Sequence, residues 1–161
     1  VMGATLATKR TSAERLAKGV DPNALVVEPY ADPFRTYHLE EDYKKFKALF
    51  EERNVDCYIL NTGYFMDKKV PKELTLGVLE LIIENKANFK KLGNLSNMEY
   101  LEVEGFVPDF SDENYRQQFI ARMKDRVEFI ASRDTFKNGF DKLPKEALDA
   151  MKKVVAETEN L

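Results

Sequence analysis

The residues with the clearest potential for chemistry lie between Asn61 and Thr75. An Asn-Thr-Gly-Tyr turn begins at Asn61, two adjacent lysines follow at Lys68 and Lys69, and Pro71 precedes an apolar run. Because strand ends that lead into helix N-termini are common ligand positions in α/β folds, the two ammonium groups are candidates for binding an anion. The residues alone also allow a solvated loop, and both interpretations stay open.

Other chemistry-bearing residue types are few. The one histidine, His38, has no second histidine with which to bind a metal, and we expect it to be a structural hydrogen-bonding residue at a loop–helix junction. The one cysteine, Cys57, allows no internal disulfide and is expected to be a small apolar residue of a strand. Neither a GxxxxGK[ST] phosphate loop nor a GxGxxG sequence occurs, so nothing visible can cradle a polyphosphate by itself.

Length and composition describe a globular chain of about one domain. The 161 residues are 43% hydrophobic and 33% charged, which is enough apolar content to bury a core. A net charge of −3, with no basic block, argues against a nucleic-acid partner. No apolar run approaches the roughly 20 residues of a membrane span, so no membrane partner is expected. The single cysteine fits a cytoplasmic location.

Hydrophobic periodicity predicts the elements that position the 61–75 segment. A helix is expected over residues 40–53 with Asn54 as its end, followed by a strand over 55–60. Residues 64–70 are expected to form a loop. A second helix is expected over 71–86, and apolar residues cover so much of its circumference that it should be buried on more than one side.

The flanking regions complete the predicted architecture. Residues 1–20 are expected to form a mobile arm or a short helix around 12–18, with a brief strand at 25–27 and an ordered loop over 30–37. Residues 87–97 are expected to be a connection, 99–103 a strand, and 112–132 and 144–157 helices with apolar stripes. The predicted fold class is α/β, with a mixed sheet, flanking helices and a helical C-terminal end.

Four short motifs, in order, resemble the C-terminal part of the ATP-type phosphoenolpyruvate carboxykinases. The resemblance covers roughly residues 7–86. The family's motifs are Lys-x-x-Gly-Thr-Glu, Gly-Glu-Pro-Phe with a following His, Asn-Thr-Gly-Trp, and Lys-Arg-Ile with a downstream Thr. The matching residues here are Lys9 with Glu14, Ala31-Asp32-Pro33-Phe34 with His38, Asn61-Thr62-Gly63-Tyr64, and Lys68-Lys69-Val70 with Thr75.

The resemblance implies a nucleotide contact. In the family the Arg-Ile pair and the Thr contact ATP, which implies nucleotide-binding roles for Lys69, Val70 and Thr75, with Lys68 and Gly63 beside them. ATP and a divalent metal, Mg or Mn, are the implied cofactors of the intact parent. Lys69 departs from the family's Arg and lacks its planar, two-pronged donor geometry. The glycine-rich stretch before the basic pair is also shortened, to residues 64–67.

The resemblance also implies that the chain is a fragment. Val1 precedes Met2, and the family's phosphate loop and metal ligands lie upstream of the matching region. We therefore expect one domain over 1–161, with a nucleotide-cleft part (1–97) and a mainly helical part (98–161). Its partners would be nucleotide and the remainder of the parent chain.

The implied parent reaction is ATP-dependent decarboxylation and phosphorylation of oxaloacetate, and the fragment alone should be inactive. Two alternatives remain. One is a non-catalytic interaction module, which an exposed apolar stripe on 112–132 would favour. The other is a nucleotide-dependent enzyme with a changed substrate.

Overall fold

The computed structural model describes residues 1–9, 18–19, 21 and 24–161. These residues form four α-helices and three separate two-stranded antiparallel sheets. The helices are α1 (Leu39–Arg53), α2 (Lys72–Ile83), α3 (Glu113–Ser132) and α4 (Lys145–Thr158). The paired strands are β1 (Ala7–Lys9) with β2 (Leu25–Val27), β3 (Tyr64–Phe65) with β4 (Lys68–Lys69), and β5 (Phe89–Lys91) with β6 (Glu99–Leu101). The expected combination of helices and strands is confirmed, but the described residues form three small antiparallel sheets in place of one mixed sheet.

All four helices follow from the sequence with small shifts at their ends. α1 ends at Asn54, which adopts the left-handed conformation at φ 51°, as Asn tolerates better than most residues. α3 begins after Asp112, whose Oδ1 accepts the backbone N–H of Asn114 at 2.9 Å and so caps the helix. The apolar stripe of α3 is buried or half-buried along its length, and the stripe of α4 is likewise covered.

The chain divides into two compact units. The first comprises residues 1–58 and 126–151. Its fully or nearly fully buried apolar side chains are Ala4, Leu39, Tyr43, Phe129, Ile130, Leu143, Ala147 and Met151. The expected mobile arm is wrong for residues 1–9, because Ala4 and Thr5 are completely buried. Of the expected helix around 12–18, all but Lys18 lies outside the described residues.

Arg126 explains why the N-terminal residues are ordered. Its Nη1 donates hydrogen bonds to the carbonyl oxygens of Met2 at 3.0 Å and Thr5 at 2.8 Å, and to Thr5 Oγ1 at 2.9 Å. Burial lowers the pKa of Arg126 to about 10, so it remains a cation at neutral pH. A buried guanidinium without these three acceptors would be costly, so Arg126 and the 2–5 segment depend on each other.

The 30–37 stretch is ordered, as expected, by contacts within the same unit. Arg35 pairs with Asp141, donates to the Phe140 carbonyl at 3.2 Å and lies over the Phe140 ring. His38 precedes α1, and its Nδ1 donates to the Gly139 carbonyl at 3.2 Å. The structural role expected for His38 is therefore confirmed.

The second unit comprises residues 59–125 and 152–161. It contains α2, the β3–β4 and β5–β6 hairpins, and an aromatic cluster in which neighbouring rings lie 5.3 to 6.2 Å apart. The cluster consists of Phe65, Phe106, Phe110, Tyr115 and Phe119. Gly93 has φ +57°, which favours glycine, and a Cβ there would lie 2.4 Å from Leu161 Cδ2, so the Leu161 side chain would have to move.

Three expected element types are wrong. Residues 55–60 form no strand, and Cys57 is exposed instead of packed as a strand residue. Strand propensity reflects the fit of side chains to a half-buried pleated surface, and within the described part of the chain no segment pairs with 55–60. Residues 64–70 contain a hairpin and not a loop, and the 87–97 connection contains β5.

The burial expected for α2 is also wrong. Leu74, Val78 and Ile82, which share one helix face, are half-buried, but α2 has no buried residue. The other apolar side chains of α2, namely Leu76, Leu79, Leu81 and Ile83, are exposed. Apolar residues cover most of the circumference of α2, yet the described residues cover only one side of it.

A pair of truncations measures this difference in burial. Met151 is 0% exposed and Leu76 is 64% exposed. Met151→Ala should lower the free energy of unfolding by about 2–5 kcal/mol, because it removes core contacts and leaves a cavity. Leu76→Ala should change it by less than about 0.5 kcal/mol. Urea unfolding of the two variants checks this, and equal losses would contradict the burial described here.

A second prediction concerns Gly77 in the middle of α2. A Cβ at Gly77 would meet no heavy atom within 4 Å, so close packing does not require glycine there. Gly77→Ala should therefore raise the free energy of unfolding by about 0.5–1 kcal/mol, through the better helix propensity of Ala. Thermal unfolding measures the gain, and Gly93→Ala is the matched control that should destabilise instead.

Candidate functional site

The Asn61-Thr62-Gly63-Tyr64 motif is a turn organised by the asparagine side chain. Asn61 Oδ1 accepts the backbone N–H of Gly63 at 3.0 Å, and Asn61 Nδ2 donates to the Tyr64 carbonyl at 2.8 Å. Gly63 does not have a positive φ, and a Cβ there would have only one neighbour, at 3.7 Å. The residue that fixes the turn is therefore Asn61, and no geometric constraint demands glycine at position 63.

The turn leads into the β3–β4 hairpin. Tyr64 lies opposite Lys69, Phe65 lies opposite Lys68, and Met66 and Asp67 form the two-residue connection. Met66 adopts φ 52°, a conformation of the type that short hairpin connections require. The Val70 N–H donates to the Gly63 carbonyl at 2.9 Å, which continues the pairing toward the turn.

The hairpin separates the two lysines. Successive side chains of a strand point to opposite faces, so Lys68 shares a face with Phe65, and Lys69 shares a face with Tyr64. Both lysines are exposed. The two lysine side chains therefore leave the hairpin on opposite faces.

The remaining predicted site residues lie close by in the chain. Val70 is buried, and Thr75 is half-buried in the first turn of α2, where its N–H donates to the Pro71 carbonyl at 3.3 Å. The structure thus brings Gly63, Lys69 and Val70 together through hairpin pairing. Thr75 follows on the adjoining helix.

A groove of about 640 Å³ lies along the Lys68 face of the hairpin. Residues 105–112 and the first turn of α3 form its opposite side. Its apolar walls are Phe65, Met66, Val107, Pro108 and Tyr115. Gly63, Lys69, Val70 and Thr75 are not among its lining residues, so the cleft expected around Gly63, Lys69 and Thr75 does not coincide with this groove.

The polar lining of the groove is mainly acidic. It comprises the carboxylates of Asp67, Asp109 and Asp112 and the ammonium group of Lys68. Lys68 Nζ donates to the Gly105 carbonyl at 3.3 Å, across the groove. Asp109 Oδ1 accepts the Ser111 hydroxyl at 2.6 Å and the Ser111 N–H at 2.9 Å, and these bonds hold the pKa of Asp109 below its ordinary value.

The aromatic cluster supports the groove from behind. The ring of Phe65 lies 5.8 Å from Tyr115 and 6.1 Å from Phe106, so the hairpin is packed against α3 and the 105–112 segment. Burial raises the pKa of Tyr115 to about 12, which keeps its hydroxyl neutral at physiological pH. The apolar walls of the groove are therefore uncharged. Its charged lining residues are Asp67, Lys68, Asp109 and Asp112.

Sequence reasoning missed the residues that shape this region. Asn61 was part of a recognised motif, but its two hydrogen bonds were not anticipated. Asp109 lies two residues before Ser111, a spacing that indicates a side-chain turn. Tyr115 was assigned to the apolar stripe of α3 and also forms a wall of the groove.

Within the part of the chain that the structure describes, no group of three or more His, Cys, Asp or Glu residues could hold a metal ion. Among the same residues, no helix is long and apolar enough to cross a membrane.

Comparisons of the chain with models of protein families, with curated proteins and with solved structures found no match.

The Asp109–Ser111 turn gives a pH-dependent prediction. The pKa of Asp109 lies below the ordinary value of 3.8, with the Ser111 hydroxyl bond as its largest cause. Because the folded pKa is lowered, the contribution of this turn to stability is present above the unfolded pKa and is lost as pH falls through the folded pKa.

Ser111→Ala should therefore raise the pKa of Asp109 toward its ordinary value. Carboxyl-carbon NMR titration of Asp109 measures this, and Asp67, for which Ser111 is not a partner, serves as the internal control. An unchanged Asp109 pKa in Ser111→Ala would show that the hydroxyl does not stabilise the carboxylate.

Proposed function

We propose that this chain is the C-terminal nucleotide-binding part of a phosphoenolpyruvate carboxykinase-like enzyme. The parent reaction would be ATP-dependent decarboxylation and phosphorylation of oxaloacetate, with Mg or Mn held by residues outside this sequence. The observation that carries the proposal is the order of the four motifs, the last two of which form one continuous unit of turn, hairpin and helix. Such a unit supports the proposal because it presents backbone and lysine donors at a fixed position.

Within the proposal, Lys69 is the nucleotide-contacting side chain. Its ammonium group is exposed on the face of the hairpin that it shares with Tyr64, which is 54% exposed. Val70 is buried and pairs with Gly63, so it acts as the anchor of the hairpin. Lys69 supplies a single point charge to a phosphate oxygen, where the resembled family uses a planar guanidinium.

The exposed apolar side chains of α2 support the remainder of the parent chain as a partner. Leu76, Leu79, Leu81 and Ile83 remain exposed on a helix that is apolar around its circumference. Contiguous exposed apolar surface of this kind typically marks an interaction site. A parent chain packed on α2 would bury it.

A second candidate function is a non-catalytic interaction module. The same exposure of α2 favours it, because a docking helix presents apolar residues to its partner. The stripe on α3, which would have favoured this function, is buried or half-buried and offers no such surface. A nucleotide-dependent enzyme with a changed substrate remains within the first proposal, because it keeps the same nucleotide contact.

The test is titration of ATP into the chain, followed by amide NMR shifts of the hairpin. Lys69→Ala should weaken ATP binding by roughly 10- to 100-fold, because a charge-assisted hydrogen bond is worth about 1.5–3 kcal/mol and about 1.4 kcal/mol corresponds to tenfold. Lys69→Arg should retain most of the affinity. Lys152→Ala, which removes the same charge from an exposed site on α4 in the same unit, is the matched control and should bind ATP like the unmodified chain.

Equal ATP affinity in Lys69→Ala and in the unmodified chain would remove the nucleotide role from this hairpin. The interaction module would then be the better description. A loss of affinity in Lys152→Ala as large as in Lys69→Ala would have the same consequence, because it would show binding by diffuse charge alone.

A further inference from the structure

We propose that the groove between the β3–β4 hairpin and residues 105–115 binds an organic cation that has an apolar stem, of the alkylguanidinium or alkylammonium class. This inference goes beyond the nucleotide contact of Lys69, which lies on the other face of the hairpin.

The groove has the size and lining of a ligand site. Its volume of about 640 Å³ falls within the roughly 300–1,000 Å³ that small-molecule sites occupy. Phe65, Val107 and Tyr115 give it apolar walls on both sides, which suit the methylene groups of a ligand stem. A purely polar ligand would leave these walls without a partner.

The charge of the groove selects a cation. Three of the lining residues are aspartates and one is a lysine, so the lining carries an excess of two formal negative charges. The ammonium group of Lys68 is already bonded to the Gly105 carbonyl, and the carboxylate of Asp109 is kept ionised by Ser111. A phosphate would be repelled here, whereas a guanidinium or ammonium head would be attracted.

The spacing of the carboxylates argues for an organic cation over a metal ion. Asp67, Asp109 and Asp112 line one groove, but no described group of acidic residues, histidine or cysteine is close enough to hold a metal. A planar guanidinium with donors on three nitrogens can reach carboxylates that are set apart. Phe65 and Tyr115 both line the groove, so a cation bound there would lie near aromatic rings, which attract cations.

The lining is preorganised, which lowers the cost of binding. Asp112 is fixed by capping α3, Asp109 is fixed by its turn with Ser111, and Phe65 is fixed within the aromatic cluster. Side chains that are already ordered lose little conformational freedom when a ligand arrives.

The test uses n-butylguanidinium as the probe and n-butylurea as its neutral counterpart of similar shape, each titrated into the chain by NMR. The guanidinium should shift the signals of Phe65, Tyr115 and the 105–112 backbone, and its affinity should fall as salt rises. The urea should bind at least tenfold more weakly. Equal binding of the two probes would overturn the proposal.

Charge removal tests the carboxylates without disturbing the fold. The triple variant Asp67→Asn, Asp109→Asn, Asp112→Asn keeps an acceptor oxygen for the turn and for the helix cap, because Asn is as good a capping residue as Asp. Guanidinium affinity should fall by about tenfold, from partly exposed ion pairs worth about 0.2–1 kcal/mol each. The matched control, Asp125→Asn, Asp134→Asn, Asp149→Asn, removes the same charge from exposed sites elsewhere and should bind like the unmodified chain. Equal losses in the two triple variants would overturn the proposal.

A second pair of variants tests the aromatic wall. Tyr115→Phe should retain affinity for the guanidinium, and Tyr115→Leu should weaken it by several-fold while the chain stays folded. Unchanged affinity in Tyr115→Leu would show that the cation does not lie in this groove.

Two further arms identify the source of the cation and separate this site from the nucleotide site. Tighter binding of acetyl-Gly-Arg-Gly-amide than of n-butylguanidinium would identify an arginine side chain of a protein, and the reverse would identify a free small molecule. Either result supports the cation site. If neither probe binds, the proposal is overturned. Saturating ATP should leave guanidinium binding unchanged. Displacement by ATP would overturn the inference of a separate site, whereas failure of Lys69→Ala to affect ATP would bear only on the proposed function.

Discussion

The buried side of α3 is the constraint on which the rest of the structure depends. In the second unit, Tyr115 and Phe119 anchor the aromatic cluster that holds the β3–β4 hairpin. In the first unit, Phe129 and Ile130 are buried, and Arg126 holds the N-terminal residues through three hydrogen bonds. α3 thus contacts the β3–β4 hairpin in the second unit through its aromatic rings, and the 2–5 segment in the first unit through Arg126.

Elements with a strong local sequence signal are predicted well, and elements with a weak one are not. Helices α1, α3 and α4 carry apolar residues at helical spacing together with clear ends, at Asn54, Asp112 and Pro144. These signals are local, so the sequence predicts the elements well. Strands depend on partners that are distant in sequence, so the apolar composition of 55–60 indicated a strand that the described residues do not form, and the short strands β3, β4 and β5 carried too little pattern to be recognised.

The candidate site was predictable only where backbone chemistry is encoded locally. Asn61 and Gly63 indicate a turn, and the structure has one, in which the Asn61 side chain accepts the backbone N–H of Gly63. The groove is not predictable from the sequence, because it joins the hairpin to residues some 40 positions away, and the sequence places its walls in separate elements: Phe65 and Met66 in a loop, and Tyr115 in a helix. The expected burial of α2 is wrong for a related reason, because an apolar helix does not specify which residues cover it.

The hairpin places the neighbouring residues Lys68 and Lys69 in different surroundings. A two-residue connection fixes the pairing register, and a one-residue slip would exchange the faces of every side chain. Lys69 therefore stays beside Tyr64, free of the acidic groove, where its positive charge is available to an anion. Lys68 lines the groove together with three aspartates, and its hydrogen bond to the Gly105 carbonyl ties the hairpin to the 105–112 segment. Both lysines are exposed, but they lie on opposite faces of the hairpin, and the Lys68 ammonium group is bonded to the Gly105 carbonyl.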